Sequence, residues 1–131
     1  MLKRSRCRLK ISVETLMMID SLKMNSSHIN NIISKCQECL SKKIVITHGT
    51  DRMVSTAKAL AKAKINTKTI ILTGAMIPYE FGSSSDGFFN LGCALSYVQT
   101  LQPGVYITMQ GQHFKWDKVI KNSKKGFFEK L

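Results

Sequence analysis

The chain has 131 residues and a formal net charge of +12, from 20 Lys and Arg against 8 Asp and Glu. This length fits one domain with a substantial core, and a hydrophobic share of 44% with 21% charged residues is ordinary globular composition, which argues against disorder. No stretch is apolar for long enough to span a bilayer, and the basic start has no apolar segment behind it, so we expect a cytoplasmic protein without membrane contact.

The lysines are scattered along the chain and show neither recognition-motif spacing nor interleaved aromatic residues. We therefore interpret the charge as a solvated basic surface and do not expect a nucleic-acid partner. The four cysteines are Cys7, Cys36, Cys39 and Cys93, and they lack the second paired spacing of a zinc framework, so no metal site is predicted. The CxxC pair ends a helical pattern instead of opening one, which predicts reduced thiols facing the core.

Residues 1–13 show no clear period and are predicted to be a weakly ordered lead-in to a domain that covers residues 14–131. Residues 14–19 (ETLMMI) are compatible with a first strand or a helical turn. A capping segment at residues 25–27 opens an amphipathic helix, because apolar residues follow it at steps of three and four up to Leu40. The β-branched run KIVIT (residues 43–47) predicts a buried parallel strand, and residues 52–63 a second helix.

Residues 69–73 (TIILT) predict another strand, and the long segment 74–85 that follows it is interpreted as a functional loop. Asp86 is expected to cap a third helix over residues 87–99, with a strand at residues 105–109 after Pro103-Gly104. Residues 116–121 are compatible with a strand or a helical turn, and the remaining tail is expected to be peripheral.

Four strands separated by three helices predict a parallel sheet with right-handed crossovers and helices on its faces. Polar residues then follow each strand at the edge where open α/β sheets bind ligands: Asp20-Ser21, Thr50-Asp51, Gly74-Ala75 and Gln110. A threonine hydroxyl beside a carboxylate can hold a small zwitterion or assist a nucleophile. By pattern alone, however, Thr-Asp before a helix is more often an N-cap.

Four stretches of the sequence carry a family resemblance. They are MIDSLKM (residues 18–24), IVITHGTDRM (44–53), ILTGAMIPYEFGSSSDGFFNLGCAL (71–95) and QTLQPGVYITMQG (99–111). At these residues the chain resembles the amino-terminal domain of the bacterial-type L-asparaginases, and it is similar to their compact single-domain relatives. The resemblance implies a doubly wound, flavodoxin-like three-layer α/β domain that hydrolyses L-asparagine to aspartate and ammonia with no metal or cofactor.

By the same resemblance, Thr50, Asp51 and Lys121 would be catalytic, with Lys121 and Asp51 polarising Thr50. Asp20 and Ser21 would form the turn that holds the substrate α-carboxylate, Asp51 would pair with the α-ammonium group, and Ala75 would contact the amide. A shift of register in DKVIKNSKK would move the lysine assignment from Lys121 to Lys118.

The chain departs from the family pattern at its start. The family's first strand and its Thr-Gly-Gly-Thr turn, which supplies the primary nucleophile, have no counterpart, because no Gly-Gly pair occurs in the sequence. We expect a truncated or split form that needs an upstream polypeptide for activity, forms a homo-oligomer if folded and exposes strand edges that promote aggregation. The alternatives are a noncatalytic remnant or small amino-acid-binding module, and an asparaginase-like subunit of a tRNA-dependent amidotransferase.

Overall fold

The structure is a computed structural model that describes residues 2–3, 5–78 and 84–131. The helices are α1 (Ser26–Glu38), α2 (Met53–Lys62) and α3 (Gly87–Tyr97). The strands are β1 (Lys43–Thr47), β2 (Thr69–Thr73), β3 (Gly104–Met109), β4 (Gln112–Lys115), β5 (Val119–Asn122) and β6 (Phe127–Lys130). Residues 79–83 of the predicted functional loop lie outside the described residues.

The main sheet has the strand order β1-β2-β3-β4, and β5 pairs with β6 in a separate two-stranded sheet. β1, β2 and β3 are parallel, with Lys43 opposite Thr69 and Thr69 opposite Gly104. Helices cover both faces of this sheet. The predicted doubly wound α/β class is therefore confirmed.

The prediction of a four-stranded, all-parallel sheet was wrong at both ends. Residues 14–19 form no regular structure: Leu16, Met17 and Ile19 pack against the core without joining the sheet, and Met18 is exposed. The fourth strand of the sheet is instead β4, which runs antiparallel to β3. Gln110 and Gly111 both have positive φ, of 46° and 81°, and so form the tight two-residue turn that reverses the chain.

The two crossovers of the parallel sheet have opposite hands. α2 packs with Ile70 and Ile107 on one face, whereas α3 packs with Ile71 and Tyr106 on the other. Both connections step across the sheet in the same direction, from β1 to β2 and from β2 to β3. One of them must therefore be left-handed, which corrects the expectation of right-handed crossovers throughout.

Polar side chains hydrogen-bond to the backbone at both ends of α1. Asn25 caps its N-terminus in a reciprocal pair with His28. At its C-terminus the buried amine of Lys68 donates to the carbonyls of Cys36 and Cys39, both at 2.5 Å, which satisfies groups that a helix end leaves free. Burial raises the pKa of the Cys36 thiol to about 11. Cys36 faces the core as predicted, whereas Cys39 is only half-buried and lies outside the core cluster.

The C-terminal tail is not peripheral as expected. Its β5–β6 hairpin places Val119 and Phe128, which are 2% and 1% exposed, in the core beneath α2. The hairpin therefore belongs to the domain, and it brings the predicted lysine with it.

β1 is the outermost strand of the described sheet. Its three central residues are only half-buried, whereas all five residues of β2 are buried. In the chain before α1, Leu2 and Leu9 line a pocket together with residues of α3, and Glu14 pairs with Lys35 of α1 at 2.6 Å. The described part of this segment contributes no strand, and the outer backbone edge of β1 has no ladder partner among the described residues. No described helix is long and apolar enough to cross a membrane.

Candidate active site

Thr50 and Asp51 lie in the turn that joins β1 to α2. The turn leaves the sheet at His48, whose backbone N–H still donates to the carbonyl of Thr73 at 2.8 Å. The N-cap position of α2 is Arg52, and no side chain caps the helix. The interpretation of Thr-Asp as an N-cap was therefore wrong, and the Asp51 carboxylate is turned to another partner.

That partner is Lys121 of β5. Its amine donates to Thr50 Oγ1 at 2.9 Å and to Asp51 Oδ1 at 2.8 Å, across 70 residues of sequence. The Lys121 side chain is 14% exposed and that of Asp51 47%, so the lysine is largely buried while the carboxylate remains open to solvent. Lys118, the alternative in the sequence, is exposed at the start of the hairpin.

Ser21 lies against the same turn. It is 2% exposed, and a Cβ at Gly49 would fall 2.8 Å from its Oγ, so the serine hydroxyl and the Gly49 backbone are in contact. Only glycine allows this approach. The neighbouring Asp20 carboxylate accepts the N–H of Leu22 at 3.0 Å and so fixes the short 3₁₀ turn that presents Ser21.

Gly74 and Ala75 follow β2 on the other side of the turn. A Cβ at Gly74 would lie 2.1 Å from the carbonyl oxygen of His48, so the backbones at the ends of β1 and β2 touch here. Ala75 comes next and is half-buried. The structure thus brings Ser21, the Thr50-Asp51 turn and the Gly74-Ala75 backbone to one edge of the sheet, and adds Lys121 to it.

Asp86 and Asn90 organise the loop that begins at Gly74. Asp86 occupies the N-cap position of α3, as predicted, but its carboxylate makes no capping bond to the helix and instead accepts the N–H groups of Met76 and Ile77, at 3.1 and 3.0 Å. Asn90 is fully buried and donates to the carbonyl of Gly74 at 2.9 Å and to Asp86 at 3.0 Å. Their spacing of four residues on a helix start was the signal in the sequence, because it places both side chains on one face.

Comparison with known proteins identifies the family of the chain. The family described as "Asparaginase, N-terminal" matches residues 2–128. The chain belongs to the asparaginase family. It is also similar to an L-asparaginase of Thermococcus kodakarensis, with 35% identity over 79 residues, which are 60% of this chain but only 24% of that protein. The chain thus spans well under two thirds of the length of this relative.

In this asparaginase-family domain, His48 lies in the turn between β1 and α2, and the sequence analysis predicted no role for its side chain. One ring nitrogen, Nδ1, lies 2.6 Å from the carbonyl of Gly49, and Nε2 lies 2.9 Å from the Thr56 hydroxyl. A neutral ring with its proton on Nδ1 satisfies both partners, with the hydroxyl donating to Nε2. Burial lowers the pKa of His48 below its ordinary value of 6.5, although the bond to Gly49 opposes this in part. The ring thereby holds the Thr50 turn to α2.

We expect His48 to make the domain less stable in mild acid. Because its pKa is lower in the folded state, its contribution is fully present above 6.5 and is lost as the pH falls through the folded-state pKa. Urea unfolding between pH 7.5 and 5 should therefore show a midpoint that declines more steeply in the parent protein than in His48→Gln. The exposed His113→Gln serves as the control and should keep the parent slope; equal slopes in all three proteins would contradict the assignment.

Metal ligation has no visible basis in the described part of the chain. No group of three or more His, Cys, Asp and Glu side chains converges there on a possible ion position. The polar groups that do converge are a hydroxyl, an amine and a carboxylate, which suit proton transfer and the recognition of a zwitterion.

Proposed function

We propose that this chain carries part of the active site of an L-asparaginase that hydrolyses the side-chain amide of L-asparagine. The observation that supports this proposal is the contact of the Lys121 amine with both Thr50 Oγ1 and Asp51 Oδ1. A hydroxyl is a weak nucleophile, and it needs a neighbouring group that can take its proton and a charge that supports the transfer. Lys121 and Asp51 provide these two functions within hydrogen-bond distance.

The proposed reaction has two steps. The hydroxyl of the primary threonine, which the family's Thr-Gly-Gly-Thr turn supplies, adds to the amide carbon, the C–N bond breaks, and ammonia leaves with the hydroxyl proton, so that an ester to that threonine remains. Water then hydrolyses the ester, which releases aspartate and restores the hydroxyl. Lys121 is placed to exchange the proton with Thr50 in both steps, and no redox chemistry or external cofactor is needed.

Substrate recognition is proposed for the groups around this cluster. The Ser21 hydroxyl, held by the Asp20 turn, would bind the α-carboxylate. The half-exposed Asp51 carboxylate would bind the α-ammonium group, and the backbone at Ala75 would contact the amide. This assignment uses only groups that the fold brings to one edge of the sheet.

Full turnover needs one more element in our proposal. The 131 residues contain no Thr-Gly-Gly-Thr turn, and the open outer edge of β1 lies directly beside the Thr50 turn. A strand added at this edge would deliver such a turn next to Thr50. The term "complemented chain" denotes this chain produced together with a segment that bears the added strand and turn. We expect the chain by itself to bind the amino acid and to hydrolyse little or none of it.

Calorimetric titration of the chain with L-aspartate tests the site without requiring turnover. We expect binding that weakens by about tenfold or more in Asp51→Asn, because a hydrogen bond to a charged group contributes about 1.5 kcal/mol or more. Asp117→Asn removes an equally charged, exposed carboxylate elsewhere and should bind as the parent does. Equal affinity in the parent and Asp51→Asn would contradict the proposed site.

Ammonia release, and not the titration, separates the second candidate, a noncatalytic amino-acid-binding module. The absence of the threonine turn from the sequence favours this candidate. It predicts aspartate binding that depends on Asp51, together with a complemented chain that still releases no ammonia from asparagine. Ammonia release by the complemented chain would exclude it.

A further inference from the structure

The β5–β6 hairpin carries Lys121, yet no strand ladder joins it to the main sheet among the described residues. The Lys121–Asp51 pair cannot hold it in place, because an ion pair with a half-exposed partner is weak. The position of the lysine must therefore depend on other contacts of the hairpin. One of these is made by a residue outside the proposed catalytic cluster.

That residue is Gln110, in the tight turn between β3 and β4. Its side-chain amide binds the backbone of Phe128 on both sides: Oε1 accepts the Phe128 N–H at 3.1 Å, and Nε2 donates to the Phe128 carbonyl. The side chain thus pairs with β6 as a neighbouring strand would. It forms a hydrogen-bonded link between the β3–β4 turn of the main sheet and β6 of the hairpin.

Phe128 lies directly opposite Lys121 in the hairpin register. Opposed residues of an antiparallel pair project their side chains to the same face, with their Cβ atoms about 5 Å apart. A displacement of Phe128 therefore moves the base of the Lys121 side chain. By fixing Phe128, Gln110 fixes the point from which the lysine amine reaches Thr50.

Gln110 is itself fixed by the loop that follows β2. Its backbone N–H donates to Asn90 Oδ1 at 3.0 Å, while the Asn90 amide holds the Gly74 carbonyl and Asp86. A continuous series of hydrogen bonds thus connects Gly74, beside the proposed substrate amide position, to the strand opposite Lys121.

We propose that Gln110 is a positioning residue that sets the reach of Lys121 to Thr50 and links it to the Gly74 loop. The proposal rests on the proposed function only for the role given to Lys121. Its geometric content, that Gln110 holds the lysine amine in place, can be tested in the chain as it exists and without any substrate.

The test is the rate at which acetic anhydride acetylates individual lysines of the folded chain, read by mass spectrometry. Gln110→Met keeps the size of the side chain and removes both bonds to Phe128, whereas Gln112→Met changes the exposed neighbour in β4. Lys118 is exposed and supplies a reference rate within each molecule. Lys68 is 8% exposed and reports any general loosening of the fold.

We expect Gln110→Met to raise acetylation of Lys121 relative to Lys118 by about threefold to fivefold, the change that accompanies loss of a weak ion pair. Acetylation of Lys68 should stay at its parent rate, and Gln112→Met should leave all three rates unchanged. Gln110→Glu keeps the acceptor for the Phe128 N–H but not the donor, so it should give a smaller rise in Lys121 acetylation.

An unchanged Lys121 rate in Gln110→Met, or an equal rise in Gln112→Met, would overturn the proposal. A parallel rise at Lys68 would also overturn it, because Gln110 would then support the fold in general. If Gln110→Met does not fold, Gln110→Glu decides by the same criteria. None of these outcomes depends on asparagine hydrolysis, so the failure of this proposal is distinct from failure of the proposed function.

Discussion

Gly74→Ala is expected to destabilise the domain by about 3 kcal/mol or more, a large part of the 5–15 kcal/mol typical of a folded domain. The added Cβ would lie 2.1 Å from the carbonyl oxygen of His48 and 3.1 Å from Met53 Cε. The methionine could move, but the carbonyl belongs to the backbone. It cannot retreat easily, because His48 N donates to Thr73 O at 2.8 Å and ties the two strand ends together. Urea unfolding followed by circular dichroism measures the loss.

Gly92→Ala provides the matched control. Gly92 lies inside α3, and a Cβ there meets nothing within 4 Å. Because glycine is a poor helix former, its replacement by alanine should stabilise the domain by about 0.5–1 kcal/mol. Opposite signs are thus expected for the same chemical change at two sites. A Gly74→Ala protein that unfolds at the parent urea midpoint would show that β1 and β2 do not approach as described.

Lys121→Met is expected to lower asparagine hydrolysis by the complemented chain by about 10²–10⁴-fold, the usual contribution of a positioned proton-transfer group. Methionine retains most of the apolar length of the side chain but can neither donate to Thr50 nor pair with Asp51. Loss of the ion pair alone costs little stability, so the urea midpoint should change only slightly. The measurement is the steady-state rate of ammonia release at saturating asparagine.

Lys118→Met is the control for this prediction. It removes the same charge three residues earlier, at an exposed position. We expect its rate of ammonia release to equal that of the unsubstituted complemented chain. If Lys118→Met were the inactive variant, Lys118 would be the catalytic lysine. The hydrogen bonds of Lys121 to Thr50 and Asp51 would then have no role in catalysis.

The bounds of β1 and β2 could be predicted from sequence because each is a five-residue, β-branched run that ends in threonine before a glycine-containing turn. The order of strand, turn and helix then placed Thr50-Asp51 and Gly74-Ala75 at one edge. That inference needed only the rule that parallel strands share their carboxyl ends.

The remaining features depend on tertiary contacts. The reversal at Gln110-Gly111 requires two consecutive residues with positive φ, and glutamine is not a typical residue for that conformation. Phe127 and Phe128 lie in a lysine-rich segment whose composition is typical of an exposed surface. Phe128 nevertheless enters the core, because the hairpin packs beneath α2. The left-handed crossover arises because α3 packs on the opposite face of the main sheet from α2. No local sequence pattern predicts on which face of a sheet a helix packs.

The contact between Lys121 and Thr50 was also only partly predictable from the sequence. Resemblance to the family suggested the lysine, but nothing local in DKVIKNSKK distinguishes Lys121 from Lys118. The choice follows from the pairing of β5 with β6, which sets Lys121 opposite the buried Phe128. Strand register therefore positions a side chain that contacts residues 70 positions away in the sequence. The register of β5 and β6 was the feature of the tail that the sequence predicted least well.

The most direct test of the proposed active site is ammonia release from L-asparagine by three proteins: the chain alone, the complemented chain, and the complemented chain with Thr50→Ala. We predict release by the complemented chain, little or none by the chain alone, and loss of the activity on Thr50→Ala. Undiminished ammonia release by the Thr50→Ala protein would contradict the assignment of Thr50, Asp51 and Lys121 as catalytic groups.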